Sequence, residues 1–316
     1  MSIIRKVGSR KLKTSINKSA LTMPIAVSNP EQNFARYVTL IYGQSGVGKT
    51  TAAASYPSNV FISTEPGTKG LKRYEFNAEN GGITSWELFV EAVDILVIDK
   101  CKQFKTVTVD SINRLYDFCM EYQCRILGID HISENQNGKT DRSGKGWTEL
   151  RKEFTYQLNR LISAGYGLVL TSHVKLTTIT SSAGTEYDLI QPSMTGQALD
   201  VIRSITDCIF YAEFVKSAGS ANDKRILIVQ GDELVLAKAR GENWGDTKYL
   251  PLRKDNAYEI IKSAFEGKIR GINPQDIITG SRTADSARTA IAIDKRKNVK
   301  EENKHVSKVL KKNVRG

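Results

Sequence analysis

The 316-residue sequence predicts an α/β protein: a mostly parallel central sheet flanked by helices, with basic, flexible termini. Three observations predict it. Short β-rich apolar runs alternate with longer segments whose apolar residues recur at helical spacing. A glycine-rich octapeptide, Gly43-Gln-Ser-Gly-Val-Gly-Lys-Thr50, joins the first such run to the first helix-compatible one. Charge is segregated: residues 1–19 hold six Lys/Arg and no acid, and residues 267–316 hold thirteen Lys/Arg against five Asp/Glu. Of the formal net charge of +12, the stretch between these ends therefore carries about −2. These boundaries divide the chain into a basic extension (1–35), a body (36–266) and a basic, largely disordered tail (267–316) with a short helix near 300–312.

In order along the chain, Tyr37–Tyr42 is strand-like and Thr50–Ser55 suits a helix. Pro57 and Ser58 break the chain before a second strand, Asn59–Ser63. Leu88, Phe89, Ala92, Val93, Leu96 and Val97 mark a helix over 86–99. Lys105–Asp110 is a third strand, and Ser111 caps a helix bearing Ile112, Leu115, Phe118, Met120 and Tyr122. Residues 133–146 form a polar loop, 148–163 a helix and Gly167–Ser172 a fourth strand. A second polar loop covers 175–190, followed by a short helix around Ala198 and strands at 205–214, 225–230 and 233–238.

The octapeptide fits G-x-x-x-x-G-K-[ST], the phosphate-binding loop of nucleoside triphosphatases, and the reason is physical. Gly43, Gly46 and Gly48 permit backbone angles closed to other residues, so successive N–H groups from Gln44, Ser45, Val47 and their neighbours can turn inward around an anion. Lys49 adds a cation for the β- and γ-phosphates, the Thr50 hydroxyl can ligate Mg²⁺, and Thr51 follows in the first helical turn. The helix N-terminus adds its own partial positive charge. The pattern implies ATP and Mg²⁺ as ligands.

The metal also needs a carboxylate at the end of a neighbouring strand. Ile95–Asp99 and Val107–Asp110 both end in Asp, but the first continues a helical pattern, whereas the second is β-branched and runs into a helix start. Asp110 is therefore the Mg²⁺-side candidate, acting through water, and Asp99 the decoy. Glu65, in Ser63-Thr-Glu-Pro-Gly67, follows the second strand at the same sheet edge and is the candidate base for hydrolysis; the alternative is a solvated loop carboxylate. His173 ends the fourth strand there and could sense the γ-phosphate, although a lone histidine at a strand end is commonly structural. Lys139, Arg142 and Lys145 in the first polar loop, and Lys175 in the second, suit phosphate contacts on single-stranded DNA; surface loops are polar in any case. Only Trp147 and Tyr187, at the loop margins, could stack on bases.

The four cysteines (Cys101, Cys119, Cys124, Cys208) form no C-x-x-C pair, and His131, His173 and His305 complete no zinc site with them. No apolar leader and no run of eighteen apolar residues occurs. These features predict a soluble, reduced, cytoplasmic protein without a membrane partner.

The order of these features resembles the RecA-type recombinase core, and most closely the phage-encoded RecA-like ATPases associated with single-strand annealing. The resemblance spans about 36–255: the phosphate loop, the strand ending at Glu65, Val109-Asp-Ser111, polar loops where the family binds DNA, His173 where it often has Gln, and Thr195-Gly-Gln-Ala-Leu199. Lys238-Ala-Arg240 resembles the element that places cations in a neighbour's active site. By that resemblance Glu65 is the catalytic carboxylate, His173 the sensor, and Lys238 with Arg240 a trans-acting pair. It implies a ring or filament of copies on single-stranded DNA, a DNA-stimulated ATPase in recombination or annealing in a bacterial host's cytoplasm, and a single-strand DNA-binding protein as a further partner. Replicative helicases, helicase loaders and nucleotide-gated DNA-binding modules on the same fold are the alternatives. Residues 1–36, short and basic, show no clear counterpart of the family's N-terminal helix-plus-strand polymerisation module, a departure from its pattern.

Overall fold

The computed structural model describes residues 25–77, 82–98, 103–141, 144–182, 184–215, 224–253 and 256–271. The chain divides into two compact units, Met1–Glu31 and Gln32–Gly316. Of the first, only residues 25–31 are described, and they form no helix or strand. The basic tail beyond 271, the short helix expected near 300–312, Asp99 and Arg142 lie outside the described residues.

The second unit is built on a sheet of nine strands among the described residues. Its parallel core comprises β1 (Val38–Gly43), β2 (Asn59–Ser63), β3 (Tyr74–Glu75), β4 (Thr106–Asp110), β5 (Gly167–Ser172) and β8 (Cys208–Val215), in the spatial order β3-β2-β4-β5-β1-β8. Antiparallel β9 (Lys224–Ile228) and β11 (Tyr249–Pro251) extend it beyond β8, and two-residue β10 (Lys238–Ala239) pairs with the start of β8. β6 (Val174–Thr180) and β7 (Glu186–Pro192) form a separate antiparallel hairpin. The helices are α1 (Lys49–Ala54), α2 (Trp86–Ile98), α3 (Ile112–Leu127), α4 (Lys145–Ser163), α5 (Gly196–Ile205) and α6 (Ala257–Phe265). The mostly parallel sheet with flanking helices that the sequence predicts is the architecture observed.

Two cores explain the layering, because β1 and β5 are buried on both faces. On one face Trp86, Phe89, Tyr116, Phe154 and Leu158 of α2, α3 and α4 cover Leu40, Ile62, Val109 and Leu170. On the other, α1 and α6 cover Ile41, Phe61, Val169 and Phe210, with Phe34, Tyr56, Trp244, Tyr258 and Phe265 as an aromatic cluster. Phe34 and Ala35 are buried in this second core.

Several elements differ from the sequence reading. The segment 175–190 is largely the β6–β7 hairpin rather than a loop; its threonines pair across the strands, Thr178 Oγ1 donating to Asp188 Oδ1 at 2.8 Å. Within the 133–146 segment Glu134 bridges to Thr140, and α4 begins at Lys145. The strand expected at 233–238 is mostly irregular, Val235 bridging to Ile190 and only Lys238 joining the sheet as part of β10. β11 and α6 were not anticipated. Among the described residues no helix is long and apolar enough to cross a membrane. Burial pushes the Cys208 thiol up to about 12, so it stays protonated, and it raises the Cys119 thiol as well.

Candidate nucleotide site

β1, β2, β4 and β5 end at one edge of the sheet, and their parallel register brings widely spaced residues together there. Ser63 of β2 is level with Asp110 of β4, and Gly43 closes β1 beside Ala212 of β8. Gly43 is required by this approach: a Cβ at that position would lie 2.3 Å from the Ala212 carbonyl oxygen. The following loop turns through Gly46 at φ 78° and Gly48 at φ 107°, angles that side chains disfavour, and Gly48 is the N-cap residue of α1. Lys49 is buried, and its Nζ donates to the carbonyls of Gly43 at 3.0 Å and Gln44 at 2.9 Å. The loop thus holds its cation over its own concavity.

A cleft of about 380 Å³ opens at this edge. It is lined by the loop residues Ser45, Gly46, Gly48, Lys49, Thr50 and Thr51, by Glu65, Asp110, Ser111 and His173, and by Arg225. Gln44 and Val47 belong to the loop without lining the cleft; Val47 is fully buried under it. The structure therefore gathers Lys49, Thr50, Glu65, Asp110 and His173, spread over 125 positions of sequence, around one space.

The acidic wall is hydrogen-bonded throughout. Asp110 Oδ1 accepts from the Thr171 hydroxyl, and the Asp110–Ser111 peptide bond is cis. Thr64 ties β2 to β4: its N–H donates to Asp110 O at 2.8 Å, and its hydroxyl accepts from Ser111 N at 2.9 Å. Glu65 Oε1 accepts from the Ser111 hydroxyl, and Glu65 Oε2 lies 3.2 Å from His173 Nε2. Ser111 occupies the N-cap position of α3, as expected, but its hydroxyl makes no capping bond because it is turned to Glu65. Burial alone would raise the Glu65 carboxyl; the bonds from His173 and Ser111, helped by the charges of His173 and Lys49, outweigh it and hold the group below the ordinary carboxylate value. Glu65 is thus ionised at neutral pH.

The remaining candidates are dispersed. Lys139 and Lys145 are exposed in the 133–146 segment, and Lys145 opens α4 with its N–H on Asp141 Oδ2 at 3.0 Å. Lys175 is half-buried, its ammonium donating to the Met194 carbonyl beside the hairpin. Trp147 packs partly buried against the α2–α4 core, which leaves less of its ring for base stacking. Lys238 and Arg240 lie at the opposite end of the sheet from the phosphate loop, since β10 pairs with Cys208 and Ile209 whereas Gly43 pairs with Ala212. Roughly 13 Å of strand separates Cys208 from Ala212. Both have intramolecular partners: Arg240 NH1 meets Asp207 Oδ1 at 3.2 Å and Lys238 Nζ donates to Arg203 O at 2.7 Å. Asp207 precedes β8 in the chain, and nothing in the linear sequence marks it as a neighbour of Arg240.

Sequence reasoning missed Thr64, Thr171, Ser111 as a carboxylate donor, and Arg225. Thr171 carried a usable signal, a polar residue near the end of an otherwise apolar strand at the sheet edge already assigned to the site.

Among the described residues no three His, Cys, Asp or Glu side chains cluster as a metal-ligand set. Thr50 and Asp110 line the same cleft as Lys49, and their hydroxyl and carboxylate oxygens are hard donors of the kind that would hold Mg²⁺. A phosphate-binding turn between a strand and a helix, faced by a carboxylate two strands away, defines a P-loop nucleoside triphosphatase. The chain matches the AAA domain family (AAA_24) over residues 35–241 and belongs to that family. Comparison with curated proteins gave no match. Among solved structures, the chain is similar to a KaiC-like protein, PH0186, from the hyperthermophilic archaeon Pyrococcus horikoshii OT3. The two are 13% identical, the alignment covers 70% of this chain and 88% of that one, and the TM-score is 0.37.

Proposed function

We propose that this AAA domain protein hydrolyses ATP in response to single-stranded DNA and serves phage-type recombination or strand annealing. The observation that supports it most is a bonded path leading out of the cleft. Glu65 is 3.2 Å from His173, and the His173 carbonyl accepts from Ser193 N at 2.8 Å, just after the β6–β7 hairpin. The hairpin follows His173 directly, and Ser182, Gly184 and Thr185, between the end of β6 and the start of β7, are exposed. A change at the γ-phosphate end of the cleft is thereby linked to a surface element, and DNA bound there would bias the cleft in return.

In this reading the loop amides and Lys49 hold the phosphates. Mg²⁺, when bound, would neutralise phosphate charge; Thr50 would hold it directly and Asp110 through water. Glu65, ionised and fixed by Ser111 and His173, accepts a proton from the attacking water as ATP and water become ADP and phosphate. Lys238 and Arg240, too far along the sheet for their own cleft, would act on a neighbouring copy in a ring or filament.

The test is the ATPase rate with and without single-stranded DNA, run beside electron microscopy of the mixture. Stimulation with DNA-dependent assembly, and pairing of complementary strands without net unwinding, is the expected result. ATP-driven duplex unwinding would instead assign a helicase role, and turnover at background would reduce the protein to a nucleotide-gated binding module.

A further inference from the structure

Arg225 lines the phosphate cleft and has no assigned role. It lies on β9 opposite Phe214, two residues past the level at which Ala212 faces Gly43, so the strand carries it beyond the sheet to the height of the phosphate loop. Its side chain follows the alternation of β9 onto the face where Leu227 packs in the α1 and α6 core. There it meets the start of α1: a Cβ on Gly48 would lie 3.7 Å from Arg225 NH1 and 4.0 Å from Leu252 Cδ2. The guanidinium carbon sits 5.4 Å from the Phe214 ring centroid, a cation–π contact. Among the described residues no carboxylate or other side chain pairs with this guanidinium. A half-buried guanidinium with no anionic partner among the described residues, beside the N-terminus of a helix that follows a phosphate loop, is suited to receive an anion.

We propose that Arg225 is a nucleotide-binding residue of its own subunit, contacting the phosphate chain from the side of Gly48, opposite the Glu65 wall. Phosphate rather than base is the contact, because the fork-shaped donor faces the helix N-terminus where the loop gathers negative charge. The inference rests on the cleft being a nucleotide site, and it differs from the trans role of Lys238 and Arg240 in needing no second copy.

Equilibrium binding of ADP and of inorganic tripolyphosphate to the full chain separates the possibilities. Arg225→Ala is expected to weaken both ligands by a similar factor, about tenfold or more. Arg225→Lys, which keeps charge but loses the fork, should recover part of the loss, and thermal unfolding without ligand checks that both variants are folded. Lys49→Ala is the companion control. If wild type and Lys49→Ala bind ADP equally poorly, the nucleotide site itself is wrong. If Lys49→Ala loses ADP while Arg225→Ala retains both ligands, the Arg225 inference alone is overturned. Loss of ADP with tripolyphosphate unchanged also overturns it, placing Arg225 on the base.

Discussion

At the scale of single residues, the cleft separates groups that meet phosphate from groups that hold other groups in place. Lys49 now satisfies itself on the Gly43 and Gln44 carbonyls, bonds that an arriving phosphate would replace. Lys49→Ala should cut turnover by the equivalent of about 3–4 kcal/mol of transition-state stabilisation while leaving the unfolding midpoint near wild type. Asp110→Asn should lower Mg²⁺-dependent turnover strongly, and Asp99→Asn should have little effect, measured side by side at saturating Mg²⁺ and ATP. The reverse ranking would contradict the placement of Asp110 at the cleft. Glu65 carries a pH signature. A carboxyl held lower in the folded protein than in the unfolded chain stabilises the fold above the unfolded value, about 4.3, and that stability is lost as pH falls through the folded value. Urea midpoints taken from pH 6 down to pH 3 should therefore drop less steeply for Glu65→Gln than for wild type; parallel curves would show that the His173 and Ser111 bonds do not favour the ionised form.

At the scale of elements, backbone approach sets the limits. β5 begins at Gly167, where a Cβ would fall 1.8 Å from the Ala35 carbonyl oxygen, in the segment that leads into β1. Neither backbone can yield without disturbing the β1–β5 register that aligns Tyr42, just before Gly43, with Ser172, just before His173. Gly167→Ala should destabilise the protein by about 1–3 kcal/mol or more, seen as a lower urea midpoint with an unchanged slope. The hairpin shows the opposite dependence. β6 and β7 pair with each other, and Tyr42 ties β7 to the segment before β10, its hydroxyl donating to Ile190 O at 3.1 Å and to Leu236 O at 2.8 Å. Tyr42 immediately precedes the phosphate loop, so the hairpin is anchored to the same strand that presents Gly43.

At the scale of the whole molecule, Lys238 and Arg240 test whether the active unit is one chain or several. Arg240→Ala alone and Glu65→Gln alone should each be inactive, yet a mixture should regain part of the turnover, because some interfaces then join an intact Glu65 to a neighbour's intact Arg240. Mixed oligomers that form without any rescue would restrict Arg240 to its contact with Asp207.

The sequence by itself determined the class of fold and the phosphate half of the site. Glycine backbone freedom, the strand-to-helix setting and the Lys-Thr pair are local, so they are legible within eight residues. It also separated the strand ending at Asp110 from the helical run ending near Ile98, since periodicity is local too. The hairpin, β11 and α6 escaped because threonine-rich pairing and a short amphipathic helix resemble polar loops until partners are known. Only the tertiary structure decided that the Ser111 hydroxyl serves Glu65 rather than its helix, that Thr171 holds Asp110, and that Arg225 comes to Gly48 from a strand 177 residues away. These are contacts between strand ends, created by the register of β2, β4 and β5 and by the antiparallel return of β9. No spacing along the chain encodes them, because the distance that matters is measured across the sheet.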